Sequence, residues 1–519
     1  MLNEIGRYPR AWQVLAVLVI TIVGLMSTIA SSSGGSGGTP PVITITFPPP
    51  GFEASDDQLT VTGTASDETG VASVRVTSAD ASSSVDASSN DGFATWQAVV
   101  PVIEGSNTLT VATVDTLGFS NPNAAQVVIT VLSAPPLATV TFPPRNSFSD
   151  ADFVTVTGTA TDVRSAVASV TVNGVEAVTS DEFATWRADS VPLTVGANTL
   201  TVETVDTRGN SDDAAAEVVV NVAADVSGNA VSFGDGYAVA LDGNRAYVLD
   251  FDNDQLVRVN VDTGADTIIS DAANGSGPDL SGPDGIALIN GGTTALVSNF
   301  LPDELLSINL AGGGRSILSS ASQNVGSGPT LFGPSGIGIV DATLAVISNY
   351  AADDVMTVDR ASGDRMVLSG DGTRGAGPGF LQPDGIAMDS ANNRILVTDA
   401  LVGGLFAVDL TTGDRTIVSD NDTVGTGGDF VNPTGIVLID FAAAVLVADR
   451  DANLLWAVNL ANGDRVIFSD ANTNNKGKGP SFSSPTGIAL DMANSRVVVS
   501  GQNLVVVELV SGDRVIVGQ

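Results

Sequence analysis

Pro383-Asp384-Gly385-Ile386-Ala387-Met388, then Arg394-Ile395-Leu396-Val397-Thr398-Asp399, Gly404-Leu405-Phe406-Ala407-Val408-Asp409-Leu410 and Gly413-Asp414-Arg415-Thr416-Ile417-Val418-Ser419, decide the fold. Each segment is short, rich in β-branched residues and bounded by turn formers, so the stretch reads as four antiparallel strands. The unit recurs every fifty residues or so, which means repetition of one supersecondary element. Its first glycine returns at Gly236, Gly285, Gly336, Gly385, Gly435 and Gly487. The Gly-Asp-Arg turn returns at Gly363, Gly413, Gly463 and Gly512, with a degenerate copy around Arg315. Four strands per unit make a blade, so residues 226–519 are expected to form a six-bladed β-propeller.

A second repeat lies upstream. Leu59-Thr60-Val61-Thr62-Gly63-Thr64-Ala65 and Gly92-Phe93-Ala94-Thr95-Trp96 are matched by Val154-Thr155-Val156-Thr157-Gly158-Thr159-Ala160 and Glu182-Phe183-Ala184-Thr185-Trp186. The period-two alternation of Val and Thr reads as half-buried strands, about seven per copy, as in an immunoglobulin-type β-sandwich. Pro40-Pro41 and Pro135-Pro136 mark the two starts, giving modules at 39–133 and 134–225. Before them, Arg7 and Arg10 precede an uncharged apolar run from Ala11 to Ala30 and a Ser/Gly stretch. Residues 1–38 therefore read as a secretory signal or uncleaved membrane anchor plus linker, and the protein is expected to be exported: periplasmic, cell-surface or extracellular. The expected class is all-β: two sandwiches and a propeller behind an apolar N-terminal segment.

Composition excludes several chemistries. The chain has no Cys and no His, so no disulfide framework, thiolate nucleophile, imidazole base or His-dependent triad can be built. Its net charge is -37 and its only lysines are Lys476 and Lys478, which speaks against nucleic acid as a partner. Catalysis, if present, rests on carboxylates, hydroxyls, Arg or a hard cation.

Pro283-Asp284-Gly285-Ile286-Ala287, Pro383-Asp384-Gly385-Ile386-Ala387 and Pro485-Thr486-Gly487-Ile488-Ala489 resemble NHL repeats and, more loosely, the SMP-30/gluconolactonase propellers. The upstream modules resemble bacterial immunoglobulin-like modules related to domain B of glucodextranase, which implies non-catalytic presentation modules. The propeller resemblance implies a divalent cation such as Ca²⁺ at one channel mouth. There the residues preceding the repeat glycines are Asp235, Asp284, Ser335, Asp384, Thr434 and Thr486, and Asp235, Asp284 and Asp384 are the candidate metal ligands. Pro-Asp-Gly is also an ordinary turn. A second ring of candidate ligand-binding residues ends the second strands: Asp250, Asn299, Asn349, Asp399 and Asp449, with Ser500 sixth. These residues could equally cap turns. The recurring Arg (Arg365, Arg415, Arg465, Arg514) is expected to be a hairpin feature paired with its neighbouring Asp. Trp96 and Trp186 could bind sugar or pack in their cores. Two functions follow: an exported binding or scaffold protein taking a protein or carbohydrate at the propeller face, or a metal-dependent lactone hydrolase.

Overall fold

The computed structural model describes residues 39–54, 56–132, 134–223, 232–370, 372–439, 443–471 and 476–518. The expected signal or anchor segment lies outside the described residues. Among the described residues there is no α-helix, only strands and single 3-10 turns, and no helix is long and apolar enough to cross a membrane. Two compact units divide at 133/134.

The first unit is a sandwich. A three-stranded sheet, Val42–Phe47, Gln58–Ser66 and Trp96–Pro101, faces a five-stranded one that includes Val71–Ser78, Gly105–Asp115 and Ser120–Val131. The alternating Val and Leu side chains of both sheets, with Trp96, bury one core. Trp96 is 3 % exposed, and an added Cβ on Gly63 would meet its indole at 2.2 Å. Trp186 in the second unit lies over Gly158 in the same way and is 2 % exposed. Neither ring offers a face for stacking a sugar.

The second unit holds the repeat. Five four-stranded antiparallel sheets follow one another, each a simple meander, beginning with the strands Gly236–Asp242, Pro283–Ile289, Pro334–Ile339, Pro383–Asp389 and Pro433–Ile439. A sixth meander runs from Ile488–Asp491 to Arg514–Ile516. Each innermost strand lies beside the next, and the sixth lies beside the first, so the sheets close into the ring of a six-bladed propeller. Apolar cores fill the gaps between successive sheets.

The repeat glycines stand where neighbouring inner strands nearly touch. A Cβ on Gly285 would lie 2.1 Å from the Ser335 carbonyl oxygen, and one on Gly385 2.3 Å from that of Thr434. Hydroxyls staple the same contacts: Ser298 donates to the Ser335 carbonyl at 2.7 Å and accepts from the Gly285 amide at 2.6 Å. At the periphery the repeated arginines do not pair with the Asp beside them. Arg415 donates to the Pro378 carbonyl and the Ser369 hydroxyl, and its guanidinium lies 5.4 Å from the Phe380 ring centre. Asp414 instead accepts from the Ala376 amide at 2.7 Å. Arg and Asp thus each hold the incoming inter-blade loop by its backbone, satisfying groups that burial would otherwise strand.

The ring closes through backbone and through the second sandwich. Ser232 bridges Asn503, and the Phe233 and Gly236 amides donate to the Gln502 and Gly501 carbonyls. The short strand Ser147–Ser149 pairs parallel with Ser211–Val222 of its own sandwich and antiparallel with Arg514–Ile516 of the sixth blade. One nine-stranded sheet therefore runs from sandwich into propeller. Arg496, 1 % exposed, binds Asp491 of its own blade, Asp262 of the first blade and the Thr141 carbonyl of the sandwich. The sandwich core is continuous with the core between sixth and first blades.

Candidate functional site

The six residues preceding the repeat glycines converge at one mouth of the ring and divide into three groups. Thr434 and Thr486 spend their hydroxyls on backbone carbonyls, those of Ala448 and Thr486 for the first and of Ser484 for the second. Asp235 is ion-paired with Arg450 at 2.6 Å. Asp284 and Asp384 both contact the Ser335 hydroxyl, at 2.7 and 2.5 Å.

The last group has a proton count. A hydroxyl owns one hydrogen and donates to one carboxylate; its second carboxyl contact is a hydrogen bond only if that carboxyl carries a proton. Burial raises both acids, and the Asp384 charge adds to the rise at Asp284; the Ser335 bond and Arg450 partly offset it. Asp284 ends well above its usual value and Asp384 at about 6. Burial and the like charge of the partner therefore favour one proton held between the two acids over two adjacent negative charges.

Arg450 of the fifth blade donates to Tyr237 of the first at 2.8 Å as well as to Asp235. Its guanidinium also lies 5.1 Å from the Tyr237 ring centre. Burial alone would lower its pKa, but Tyr237 and Asp235 outweigh burial and keep it charged. Burial pushes Tyr237 up to about 12, and raises Asp235 despite Arg450.

From Tyr237 an arc of rings runs round the mouth. Tyr237 stacks on Phe251 at 4.6 Å, Phe251 meets Phe300 edge-on at 6.1 Å, and Phe300 meets Tyr350 at 6.0 Å. Tyr350 donates to Gln382 at 2.8 Å. Phe251 and Phe300 rest on Gly282 and Gly333 of the next blade, where an added Cβ would meet them at 3.0 and 2.9 Å; both glycines have φ of +57°. The Asp284 and Asp384 charges, after burial, help raise the Tyr350 pKa, which places the arc and the acid pair in one electrostatic neighbourhood.

The second ring is placed otherwise. Asp250, Asn299, Asn349, Asp399 and Asp449 are at most 1 % exposed and turn inward onto main-chain amides. Asn299 accepts from the Ser281 amide, Asp399 from those of Leu381, Gln382 and Val402, and Asp449 from those of Val431 and Asn432. The residue following each cap supplies the arc and its guanidinium, Phe251, Phe300, Tyr350 and Arg450, and Ala400 and Gly501 hold the same place in the two remaining blades. Its signal in the sequence is contrast. The cap position repeats because scaffold repeats; the next position changes from ring to ring to guanidinium because it is free of that duty.

The three candidate metal ligands do not fit a cation. One is neutralised by Arg450, the other two are bridged by a hydroxyl, and among the described residues no three Asp, Glu, His or Cys side chains could hold a metal ion.

The acids have a stability consequence. Asp384 and Asp354 sit at about 6 in the folded chain against an ordinary 3.8, both raised by burial. The native state holds these protons more tightly than the unfolded chain, so their contribution is complete below the unfolded value and is lost as pH rises through about 6. Acids depressed by hydrogen bonds, such as Asp206 at about 2, act in the opposite sense but below pH 4. The unfolding free energy is expected to fall between pH 4 and 7 by about 1 kcal/mol per raised group, and the melting temperature with it. Asp384→Asn is expected to flatten the slope, and an unchanged slope would contradict the assignment.

No family model matches the chain, and no curated protein matches it. Among solved structures it is similar to an auxiliary nutrient binding protein from Bacteroides thetaiotaomicron, with 11 % identity over 92 % of this chain and 97 % of that one, at a TM-score of 0.42. It is also similar to a streptogramin B lyase (12 % identity, 55 % of this chain and 95 % of that one, TM-score 0.38). A calcium-binding protein, regucalcin, from Agrobacterium tumefaciens gives 16 % identity over 52 % of this chain and 82 % of that one, at a TM-score of 0.37. At these scores the functional argument rests on the residues alone.

Proposed function

We propose that this chain is an exported binding protein in which immunoglobulin-like modules carry a propeller, and that the mouth of the propeller binds an organic cation. The observation that carries the reading is the position after each cap, where a repeating scaffold departs from repetition to bring Phe251, Phe300, Tyr350 and Arg450 around one opening. The charge of that opening decides the ligand class. Arg450 and Asp235 cancel; the Asp284–Ser335–Asp384 trio leaves one negative charge beside aromatic faces. Carboxylate and π-face together suit an amine, guanidine or quaternary ammonium group, on a small molecule or on a partner's basic side chain. The overall charge of -37 draws such ligands in. Arg450 is already spent on Asp235 and Tyr237, which leaves no free cation for an anionic ligand. The hydrolase reading requires a metal that these donors do not fit. The apolar run at Ala11–Ala30 supports export.

Calorimetry with choline, agmatine and benzylamine, and with glucose as the neutral comparison, tests the proposal. At least one amine is expected to bind, to lose about tenfold affinity or more in Tyr350→Ala and Asp384→Asn, about 1.4 kcal/mol, and to bind more tightly as pH rises through the Asp384 value of about 6. Amine binding that survives both substitutions, or absence of binding by all three amines, overturns it.

A further inference from the structure

A second opening lies where the sandwich at 134–223 meets the sixth blade. It is a cleft of about 380 Å³, within the range of small-molecule sites. One wall is a face of this sandwich's three-stranded sheet, Leu137–Phe142, Phe153–Thr161 and Trp186–Pro192, with Thr141, Thr157, Thr159 and Arg187; the loop carrying Thr179 and Thr185 forms a second. The blade contributes Ser495, Glu508 and Val510.

Two of these residues are buried with a polar atom unused. Glu508 is 0 % exposed; one carboxylate oxygen accepts from the Val510 and Ser511 amides and the Ser511 hydroxyl, and the other has no partner. Trp186, 2 % exposed, has an unpartnered indole N–H. Trp96 in the first unit is unpartnered at the same atom, so the indole alone points to nothing. Glu508 has no such counterpart. The other five blades cap this turn with the shorter Asn260, Asn309, Asp359, Asp409 and Asn459, each bonding its own turn amides. Only where the sandwich covers the turn does the cap become Glu, one methylene longer, with a spare oxygen. A buried acceptor without a donor is destabilising, more so when charged, because it has lost its water and gained nothing in exchange.

We propose that this cleft binds a small neutral polyhydroxylated ligand of monosaccharide size, with one hydroxyl donating to the free oxygen of Glu508. Hydroxyls both donate and accept, which matches an acceptor-only carboxylate, a donor-only indole and a wall of threonines. A carboxylated ligand would meet Glu508 as a like charge, and the one guanidinium in the lining, Arg187, is already held by both carboxylate oxygens of Asp189 at 2.7 Å. The buried indole offers no stacking face, so recognition rests on hydrogen bonds, and millimolar affinity is the expected regime.

The test is saturation-transfer NMR and titration of the whole protein with D-glucose, D-galactose, N-acetylglucosamine and, as the charged comparison, D-glucuronate. At least one neutral sugar is expected to bind. That binding is expected to fall tenfold or more in Glu508→Gln, which keeps the turn cap but replaces an acceptor with a donor. It is expected to vanish in Val510→Trp, which fills the cleft from an exposed turn. Tyr350→Ala at the mouth is expected to leave it unchanged, so failure here and failure of the mouth reading are separable. Should Glu508→Gln misfold, Val510→Trp alone decides. Absence of binding by all the neutral sugars, binding unaffected by Val510→Trp, or tighter binding of D-glucuronate overturns the proposal.

Discussion

A chain that begins at residue 226 is expected to lose cooperative melting, whereas one that begins at 134, the boundary between the two compact units, keeps it. Without 134–225 the sixth blade loses its hydrogen-bonded neighbour Ser147–Ser149, the ring of Phe148 against Gly518, and the acceptors at Thr141 that occupy buried Arg496. The core joining sandwich, sixth blade and first blade opens to water. Uncovering even five aliphatic side chains at about 1.5–3 kcal/mol each removes about as much free energy as a domain has to lose. Circular dichroism melts of the chains starting at 134 and at 226 check this, with limited proteolysis as the second readout. Equal midpoints in both would show that the ring closes unaided.

Gly385→Ala is expected to cost more than 3 kcal/mol and to abolish ligand binding at the mouth. In extended backbone this substitution ordinarily stabilises by about 0.4–1 kcal/mol, because it restricts the unfolded chain, so the sign alone discriminates. Here the new methyl would stand 2.3 Å from the Thr434 carbonyl and 3.0 Å from the Thr398 hydroxyl, neither of which is a flexible chain end. Two inner strands must separate, and Asp384, the residue before, moves with them. Gly312→Ala, with no neighbouring heavy atom within 4 Å, is the matched control and is expected to be near neutral. Chemical denaturation of both variants gives the comparison. A Gly385→Ala protein as stable as the control would mean that the blades do not approach as described.

What the sequence made legible was whatever repeats. Pro-Asp-Gly, Gly-Asp-Arg and the Val-rich strands recur because each blade solves the same packing problem, and their period alone leads to a six-membered ring. Chemistry that occurs once left no such trace. Arg450 and Asp235 lie 215 positions apart and meet only because the ring closes between them. Ser147–Ser149 is three residues long, too short for periodicity, yet it welds two domains into one sheet. The arc of rings was hidden by an offset of one residue: Asp250, Asn299 and Asn349 are alike and stand out as a series, whereas Phe251, Phe300 and Tyr350 belong to a position that varies from blade to blade. Proton sharing through Ser335 was invisible for a different reason, since a hydroxyl between two acids has meaning only through its distances.

The inward-turned caps have a consequence for how the work is divided along the chain. Folding depends on the residue that closes each strand; in the proposed function recognition falls to its neighbour, so the two duties do not share a side chain. Positions 251, 300, 350 and 400 therefore carry less of the ring's closure than the caps do, whereas Gly501 is fixed, since a side chain there would meet the Ser483 carbonyl at 2.5 Å, and Arg450 is tied to Asp235 at 2.6 Å. The mixture of Phe, Tyr, Ala, Arg and Gly at that place gives the six sectors of one regular ring five different chemistries.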